Sequence, residues 1–250
     1  MKREAALKVA KPILFNTEMV KAIQDNRKTV TRRLIKPRFR EKERGFFTAT
    51  IAGQLFLCYS DEDDNETRRV KSPYQVGDIL YVREAFALYD CKSDCPAKKH
   101  SDFPKCKGDV TPFYIYKTDG VTKSPCGVWE APDKWHPSIH MPKEAARIFL
   151  RVKKISVERF QDSFFKSGST IFALLGEGVD IGEQCRECIN TYGSPCCIDD
   201  ESECGTLDEV RSDYSDLWNS TVKKSDLAKY GWATNPWALV IEFEKLEVEA

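Results

Sequence analysis

The chain has 250 residues, and its 39 basic and 39 acidic side chains give a formal net charge of +0. A neutral chain has no global field that attracts nucleic acid, so any such affinity must come from a local patch. The length allows a substantial core in one decorated domain or in two small ones. No apolar run approaches the roughly eighteen residues that cross a bilayer, and the amino terminus lacks a signal-peptide core. These features predict a soluble, cytoplasmic protein that stays out of membranes.

A short strand, a helix, a polar turn and a second strand are predicted between residues 11 and 37. Residues 13–15 form an apolar run that is too short for a helix. Asn16 or Thr17 can cap the helix that follows, and the turn pair Asp25-Asn26 ends it.

The second strand is unusually polar, because six cations and hydroxyls fall within seven positions: Arg27, Lys28, Thr29, Thr31, Arg32 and Arg33. One interpretation is a solvated edge strand, whose charges prevent pairing with other chains. The other is an anion or nucleic-acid site, with cations for phosphate and hydroxyls for sugar or base edges. Period-two alternation separates Lys28 from Thr31. The two can cooperate only if Lys28 projects from the turn before the strand.

Further strands and loops follow in chain order. Residues 46–59 alternate as a hairpin around Ala52-Gly53, and a buried strand begins at residue 79. Arg83 and Glu84 at its far end can form a simple ion pair, which contributes little at a surface. His136 and His140 lie on a loop with two prolines.

A strand over residues 147–160 and a short helix over residues 169–175 come next. Glu177 lies between two glycines at the end of that helix, where the helix dipole disfavours an anion. This placement is compatible with a binding site and equally with a solvent-facing carboxylate. Residues 207–221 have the apolar spacing of a core-packing helix, and residues 238–248 alternate as a half-buried strand.

Two segments, approximately 89–112 and 182–206, carry cysteines and little periodicity, so we interpret them as insertions. Ten cysteines in a cytoplasmic chain are unsuited to disulfides. The second segment has the spacing of a structural zinc site, with Cys185, Cys188, Cys197 (or Cys196) and Cys204 as thiolate ligands. A looser set combines three cysteines of the first segment with one further along the chain, and His100 can replace one member: Cys91, Cys95, Cys106 and Cys126. The alternative is a set of free cysteines on variable loops.

The chain resembles the ASCH-domain proteins (activating signal cointegrator homology), especially their longer phage and prophage form. Five stretches carry the resemblance in one order: residues 11–37, 76–84, 135–148, 177–179 and 235–243. The resemblance implies an α+β, mainly β fold. That fold is a single PUA-like β-barrel domain over residues 1–250, with short flanking helices and the two insertions. It also implies a cleft that holds a nucleotide or an RNA segment.

Some small bacterial ASCH proteins are amidohydrolases that act on N4-acetylcytidine through a lysine, a threonine and a glutamate. The matching positions here are Lys28, Thr31 and Glu177, with Arg33 as a nearby cation. Asn26 replaces a glycine of the motif, and one residue is inserted before the glutamate. In this scheme Lys28 removes a proton from Thr31 or from water, Glu177 passes it to the leaving amine, and no cofactor is required.

Binding of RNA or of a modified nucleotide is the first functional interpretation, since the resemblance supports a fold better than a reaction. Its expected contacts come from five basic side chains: Arg27, Arg32, Arg33, Arg83 and His140. The alternative is an amidohydrolase that uses Lys28, Thr31 and Glu177. A nuclease ranks lower, because no pair of carboxylates suited to a metal stands out.

Overall fold

The computed structural model describes residues 2–89, 113–120, 134–162, 176–178 and 206–249. All nine cysteines considered as zinc ligands, together with His100, fall outside these ranges. The helix predicted over residues 169–175 also lies outside them. Structural zinc therefore stays a prediction.

The described elements are mainly strands with a few helices, which confirms the mixed α+β class. The helices are α1 (Arg3–Val9), α2 (Thr17–Gln24), α3 (Thr206–Thr221) and α4 (Leu227–Tyr230). The first strands are β1 (Lys11–Leu14), β2 (Val30–Leu34), β3 (Gly45–Ile51), β4 (Gln54–Ser60) and β5 (Glu66–Lys71). The later strands are β6 (Ile79–Arg83), β7 (Phe86–Tyr89), β8 (Phe113–Tyr116), β9 (Phe149–Arg159) and β10 (Trp237–Leu246). Across the described ranges, no helix is long and apolar enough to cross a membrane.

The chain divides into two compact units, the first of which comprises Met1–Gln24, Ile79–Leu150 and Lys245–Ala250. In this unit β1 pairs in parallel with β6, and β7 pairs antiparallel with β8. Small and aromatic residues share one buried cluster: Ala6, Ala10, Tyr81, Phe86, Tyr116, Met141, Ala145, Ala146 and Phe149. The alanines let the backbone of α1 approach the rings closely, so this cluster forms the core of the first unit.

A buried ion pair lies beside that core. The fully buried Glu84 accepts hydrogen bonds from Arg147 Nε (2.8 Å), Arg147 Nη2 (2.9 Å) and Thr118 Oγ1 (3.0 Å). Arg147 also donates to Asp119 Oδ2 at 2.8 Å. Two parallel hydrogen bonds from Arg147, 63 residues away in sequence, therefore hold the Glu84 carboxylate. The sequence matches Glu84 with its neighbour Arg83, and the structure matches it with Arg147.

The second unit comprises Asp25–Asp78 and Arg151–Glu244. Here β10 lies between β9 and β2, and it pairs antiparallel with β2 so that Thr31 faces Ile241. Strands β3, β4 and β5 form a separate antiparallel sheet. The predicted hairpin around Ala52-Gly53 is confirmed, and both turn residues have positive φ (49° and 75°), as a tight two-residue hairpin turn requires.

Aromatic side chains form the core around α3. Phe160 lies 3.8 Å from the Trp218 ring centroid, 5.7 Å from that of Tyr214 and 5.4 Å from that of Trp232. The buried indole of Trp218 donates to the Tyr230 carbonyl at 2.9 Å, which satisfies its only polar atom. The core-packing helix expected over residues 207–221 is confirmed in extent and in role.

The sheets of the described residues are open, so the expectation of a closed barrel is wrong for this part of the chain. Closure requires that each edge strand find a partner on both sides. Strand β1 pairs with β6 alone among the named strands, and β2 pairs with β10 alone. The alternation in sequence identified the buried faces but did not determine which edges pair.

Replacing Arg147 by alanine should destabilise the protein by about 3 kcal/mol, because Glu84 would be left buried without its charged partner. Denaturant unfolding measures this change. The matched control is Arg151→Ala, since Arg151 is 47% exposed and lies 4.0 Å from Glu244. That variant should change stability by less than about 0.5 kcal/mol. Equal losses in the two variants would contradict a structural role for the buried pair.

Glu43 should make folding sensitive to acid. Hydrogen bonds from Arg68, then from the Arg40 amide and Thr67, lower the pKa of this carboxyl to about 2, against an ordinary value of 4.5. Its stabilisation is present above pH 4.5 and is lost as the pH falls toward 2. Glu43→Gln should therefore flatten the fall in unfolding free energy across this window, whereas the exposed Glu62→Gln should leave it unchanged. A fall of unaltered steepness in Glu43→Gln would refute this role.

Candidate functional site

Lys28 lies two residues before β2, at the point where residues 176–178 dock on the chain. Lys28 and Glu177 form an isolated antiparallel bridge, and the Thr29 amide donates to the Gly176 carbonyl at 2.8 Å. Lys28 thus lies before the regular strand, where its backbone bridges Glu177. The backbone bridge brings together two positions 149 residues apart in sequence.

A buried ion pair forms at this bridge. Lys28 Nζ donates to Glu177 Oε2 at 2.7 Å and to the Glu177 carbonyl at 2.6 Å. Lys28 is 3% exposed and Glu177 is 4% exposed. Burial of both charges requires that each have a partner, because an isolated ion loses several kcal/mol of solvation. The Lys28 amine is therefore held by both a side-chain oxygen and the backbone oxygen of Glu177.

A second cation binds the other oxygen of the same carboxylate. Arg32 Nη1 donates to Glu177 Oε1 at 2.9 Å, and Arg32 Nε donates to Glu158 Oε1 at 2.8 Å. Residues 28 and 32 fall on the same face in the period-two pattern, which explains why both reach Glu177. We call Lys28, Arg32, Glu158 and Glu177 the carboxylate cluster.

The two cations of the carboxylate cluster differ in how firmly they hold a proton. Burial lowers the pKa of Lys28, and the nearby charges of Arg33 and Arg32 act in the same direction, against the attraction of Glu177. Burial also opposes the charge of Arg32, but Glu177 above all raises the pKa of that guanidinium. Of the two cations, Lys28 is therefore the one whose proton is held less firmly.

Tyr214 is a neighbour of the cluster that the sequence analysis assigned only to the core. This side chain on α3 is 5% exposed and stacks on Phe160. Burial and the adjacent Glu177 raise the pKa of Tyr214 well above 10, so its hydroxyl stays protonated and can act as a donor. The sequence does not reveal this role, because helical spacing marks Tyr214 as a core residue and carries no information about its hydroxyl.

Two glycines allow the segment that carries Glu177 to dock closely. A Cβ on Gly176 would lie 3.3 Å from Val30 Cγ2 and 3.6 Å from Thr29 Oγ1. Gly178 has a φ of +77°, which L-residues rarely adopt. The first glycine allows close approach to β2, and the second adopts, directly after Glu177, a backbone conformation that favours glycine.

Other predicted residues lie on the same strand or next to it. Thr31 is 4% exposed and lies on β2 between Lys28 and Arg32 in sequence. Arg33, also on β2, has its pKa lowered by burial. The exposed Arg27 donates to Gly178 O at 3.4 Å and to Asp25 Oδ2 at 3.1 Å. Thus Arg27 has its guanidinium at the solvent edge of the segment that bears Glu177.

Arg83 and His140 lie in the first unit. Arg83 Nε donates to the Met141 carbonyl at 3.1 Å, and Arg83 Nη2 donates to the Ile139 carbonyl. The exposed His140 is part of the short 3-10 helix Ser138–His140 that these bonds hold. Arg83 therefore anchors the loop of His140 through backbone contacts.

Comparisons of the chain with protein-family models, curated proteins and solved structures give no match. The likeness to the ASCH proteins thus rests on the motifs of the sequence. Within the described ranges, no group of three or more histidine, cysteine or acidic side chains is placed to hold a metal ion.

Replacing Gly178 by alanine should loosen the docking of Glu177. Strain at a positive φ costs about 1 kcal/mol, and here it acts on the segment bonded to Thr29. Amide exchange of Thr29 should therefore accelerate. Gly53→Ala is the matched control, because Gly53 has a φ of +75° in an open hairpin turn. The Gly53→Ala variant should lose a similar amount of stability, but the exchange rate of the Thr29 amide relative to the other amides should not change. Unchanged Thr29 protection in Gly178→Ala would count against this account.

Proposed function

We propose that the chain is an ASCH-type protein that recognises a modified nucleoside and hydrolyses an acyl amide on its base, as in N4-acetylcytidine. One observation carries the proposal: the amine of Lys28 lies 2.7 Å from the carboxylate of Glu177, and both groups are almost fully buried. A proton-transfer pair needs this contact, together with a lysine whose pKa is lowered toward the working pH.

Arg32 gives the pair its second useful property. Because Arg32 binds the other oxygen of Glu177, the carboxylate keeps a charged partner when Lys28 becomes neutral. Loss of the Lys28 proton then leaves Glu177 in contact with Arg32, while Glu158, whose side chain is 27% exposed, keeps part of its solvation. The amine of Lys28 is thereby available as a base.

The proposed reaction uses side chains alone. Lys28 takes a proton from water or from the Thr31 hydroxyl, and the resulting oxygen nucleophile adds to the acyl carbonyl carbon. The carbon–nitrogen bond then breaks, and the exocyclic nitrogen receives the proton through Glu177. The products are the free amino base and a carboxylic acid. If Thr31 attacks, water subsequently hydrolyses the acyl ester and regenerates its hydroxyl.

Binding of nucleic acid without chemistry is the second candidate, and the exposed Arg27 favours it. Its side chain is 39% exposed next to the segment of Glu177, and its only ion pair in the described ranges is with the exposed Asp25, from which a phosphate can displace it. We rank hydrolysis first because Lys28 and Arg32 are buried and already bind Glu177. A cation that is held in this way contributes little to a phosphate contact unless the ion pair opens.

The purified protein should release the acyl group of N4-acetylcytidine. Lys28→Met and Glu177→Gln should each lower kcat/KM by about 10²- to 10⁴-fold, the usual contribution of a general acid or base. The rate of the unaltered protein should rise with pH up to the pKa of Lys28, which lies below 10.5. Product formation followed by chromatography measures both effects.

Lys153→Met is the control, since Lys153 is 56% exposed and outside the carboxylate cluster. It should retain full activity. Hydrolysis that survives in Lys28→Met would eliminate the proposed base. If acylated nucleosides stay intact while RNA binds in a manner that depends on Arg27, the second candidate replaces the first.

A further inference from the structure

A groove of about 160 Å³ lies in the second unit, beyond the carboxyl end of β2. Its walls include three aromatic rings, from Phe39, Tyr230 and Trp237, and its rim includes two cations, Arg159 and Lys229. Neither the carboxylate cluster nor the proposed reaction uses any of these five side chains. We call this site the aromatic groove.

The cations of the aromatic groove are not neutralised within the described part of the chain. Arg159 donates to the Asn235 carbonyl at 3.2 Å, and its guanidinium lies 4.5 Å from the Trp237 ring centroid. No carboxylate in the described ranges pairs with Arg159 or Lys229. By contrast, the neighbouring Lys36 is paired with Asp226 at 2.5 Å. The groove thus presents positive charge on and beside its aromatic rings, with Arg159 over Trp237 and Lys36 Nζ 4.6 Å from the Tyr230 ring centroid.

The indole of Trp237 forms part of the lining of the groove. Its ring is half-buried against Phe46, with centroids 5.4 Å apart. Its Nε1 atom is inaccessible to solvent and has no hydrogen-bond partner among the described residues. Because solvent does not reach Nε1, Trp237 contributes its ring and not this donor to the groove.

We infer that the aromatic groove binds one nucleotide of a single-stranded nucleic acid, with the base stacked on the rings and the phosphate held by Arg159 and Lys229. Aromatic platforms beside unpaired cations suit this ligand, because every base has a π-face and every nucleotide carries an anion. The inference rests on the proposed function, since it names the form of the substrate: a modified nucleoside within a strand.

The position of the groove along β2 supports this substrate form. Lys28 lies before the start of β2, and Ile35, which lines the groove, lies just past its end, where its amide donates to the Trp237 carbonyl at 3.0 Å. Seven residues of extended chain separate the two positions by about 20 Å. A free nucleoside is too short for that span, but a short oligonucleotide is long enough.

A proline-rich peptide is the competing occupant, because Pro37 and Pro236 also line the groove and aromatic grooves bind such peptides. The observations favour nucleic acid. A peptide without acidic residues would leave Arg159 and Lys229 without anionic partners, whereas each nucleotide supplies one.

Binding of fluorescently labelled oligo(U) and oligo(dT) to the full chain tests the inference by polarisation at several salt concentrations. Arg159→Gln/Lys229→Gln should weaken binding at least tenfold and reduce the slope of log K against log salt by about 1.4, at about 0.7 per contact. Trp237→Leu should also weaken binding about tenfold through lost stacking. Circular dichroism verifies that each variant is folded.

Lys153→Gln/Lys154→Gln is the matched control, because it removes two exposed lysines from β9. It should leave the affinity and the salt slope within about twofold of the parent. Preference for oligo(U) over oligo(dT) would identify RNA as the strand, and equal affinity would identify either strand as a ligand; both support the groove. Equal binding by groove and control variants, or tighter binding of a proline-rich peptide than of oligonucleotide, would overturn it.

The experiments distinguish failure of the groove proposal from failure of the hydrolase proposal. Groove variants should hydrolyse free N4-acetylcytidine at the parental rate, since their substitutions leave the carboxylate cluster intact. If no acyl nucleoside is hydrolysed but the groove variants still lose oligonucleotide binding, the groove stands and the hydrolase falls. Hydrolysis with no oligonucleotide binding overturns the groove alone.

Discussion

The burial of the Glu177 carboxylate between two cations is the constraint on which the second unit depends. Each oxygen receives one cation, Lys28 on one side and Arg32 on the other, and Glu158 balances the extra positive charge. A buried carboxylate with a single missing partner would be unstable by several kcal/mol. The position of residues 176–178 on β2 and the four-member carboxylate cluster are therefore parts of one arrangement.

The same arrangement that stabilises the fold also provides the chemistry we propose. A lysine in water is a charged donor, but burial beside Arg32 and Arg33 favours its neutral form. Because Arg32 stays with Glu177, deprotonation of Lys28 does not strand the carboxylate. The aromatic groove at the other end of β2 adds two further cations, Arg159 and Lys229. Unlike Lys28 and Arg32, both are exposed, and no carboxylate in the described ranges pairs with them. One strand thus links the proposed proton-transfer pair to the proposed nucleic-acid groove.

The sequence predicted some of this site and not the rest, for physical reasons. Alternation along β2 predicts that Lys28 can act with Thr31 only from the turn before the strand. The structure places Lys28 before β2 and brings it to the same carboxylate as Arg32. Glu177 was singled out by two flanking glycines and the family resemblance, but the role of Arg32 in binding it was not foreseen. Local patterns do not specify partners 145 residues away. For the same reason the sequence predicts a pair between Glu84 and its neighbour Arg83, whereas the structure pairs Glu84 with Arg147. The choice of partners along the sheet edges is also non-local, so the sequence predicts a closed barrel where the described sheets are open.

The most direct test of the central claim is an NMR titration of the ε-methylene of Lys28, assigned with Lys28→Met. The account predicts a pKa below 10.5 in the folded protein and, because Glu177 holds the ammonium, a still lower pKa in Glu177→Gln. A pKa at or above 10.5 that does not respond to Glu177→Gln would contradict it. Lys28 would then be an ordinary cation, and the buried pair would have no part in proton transfer.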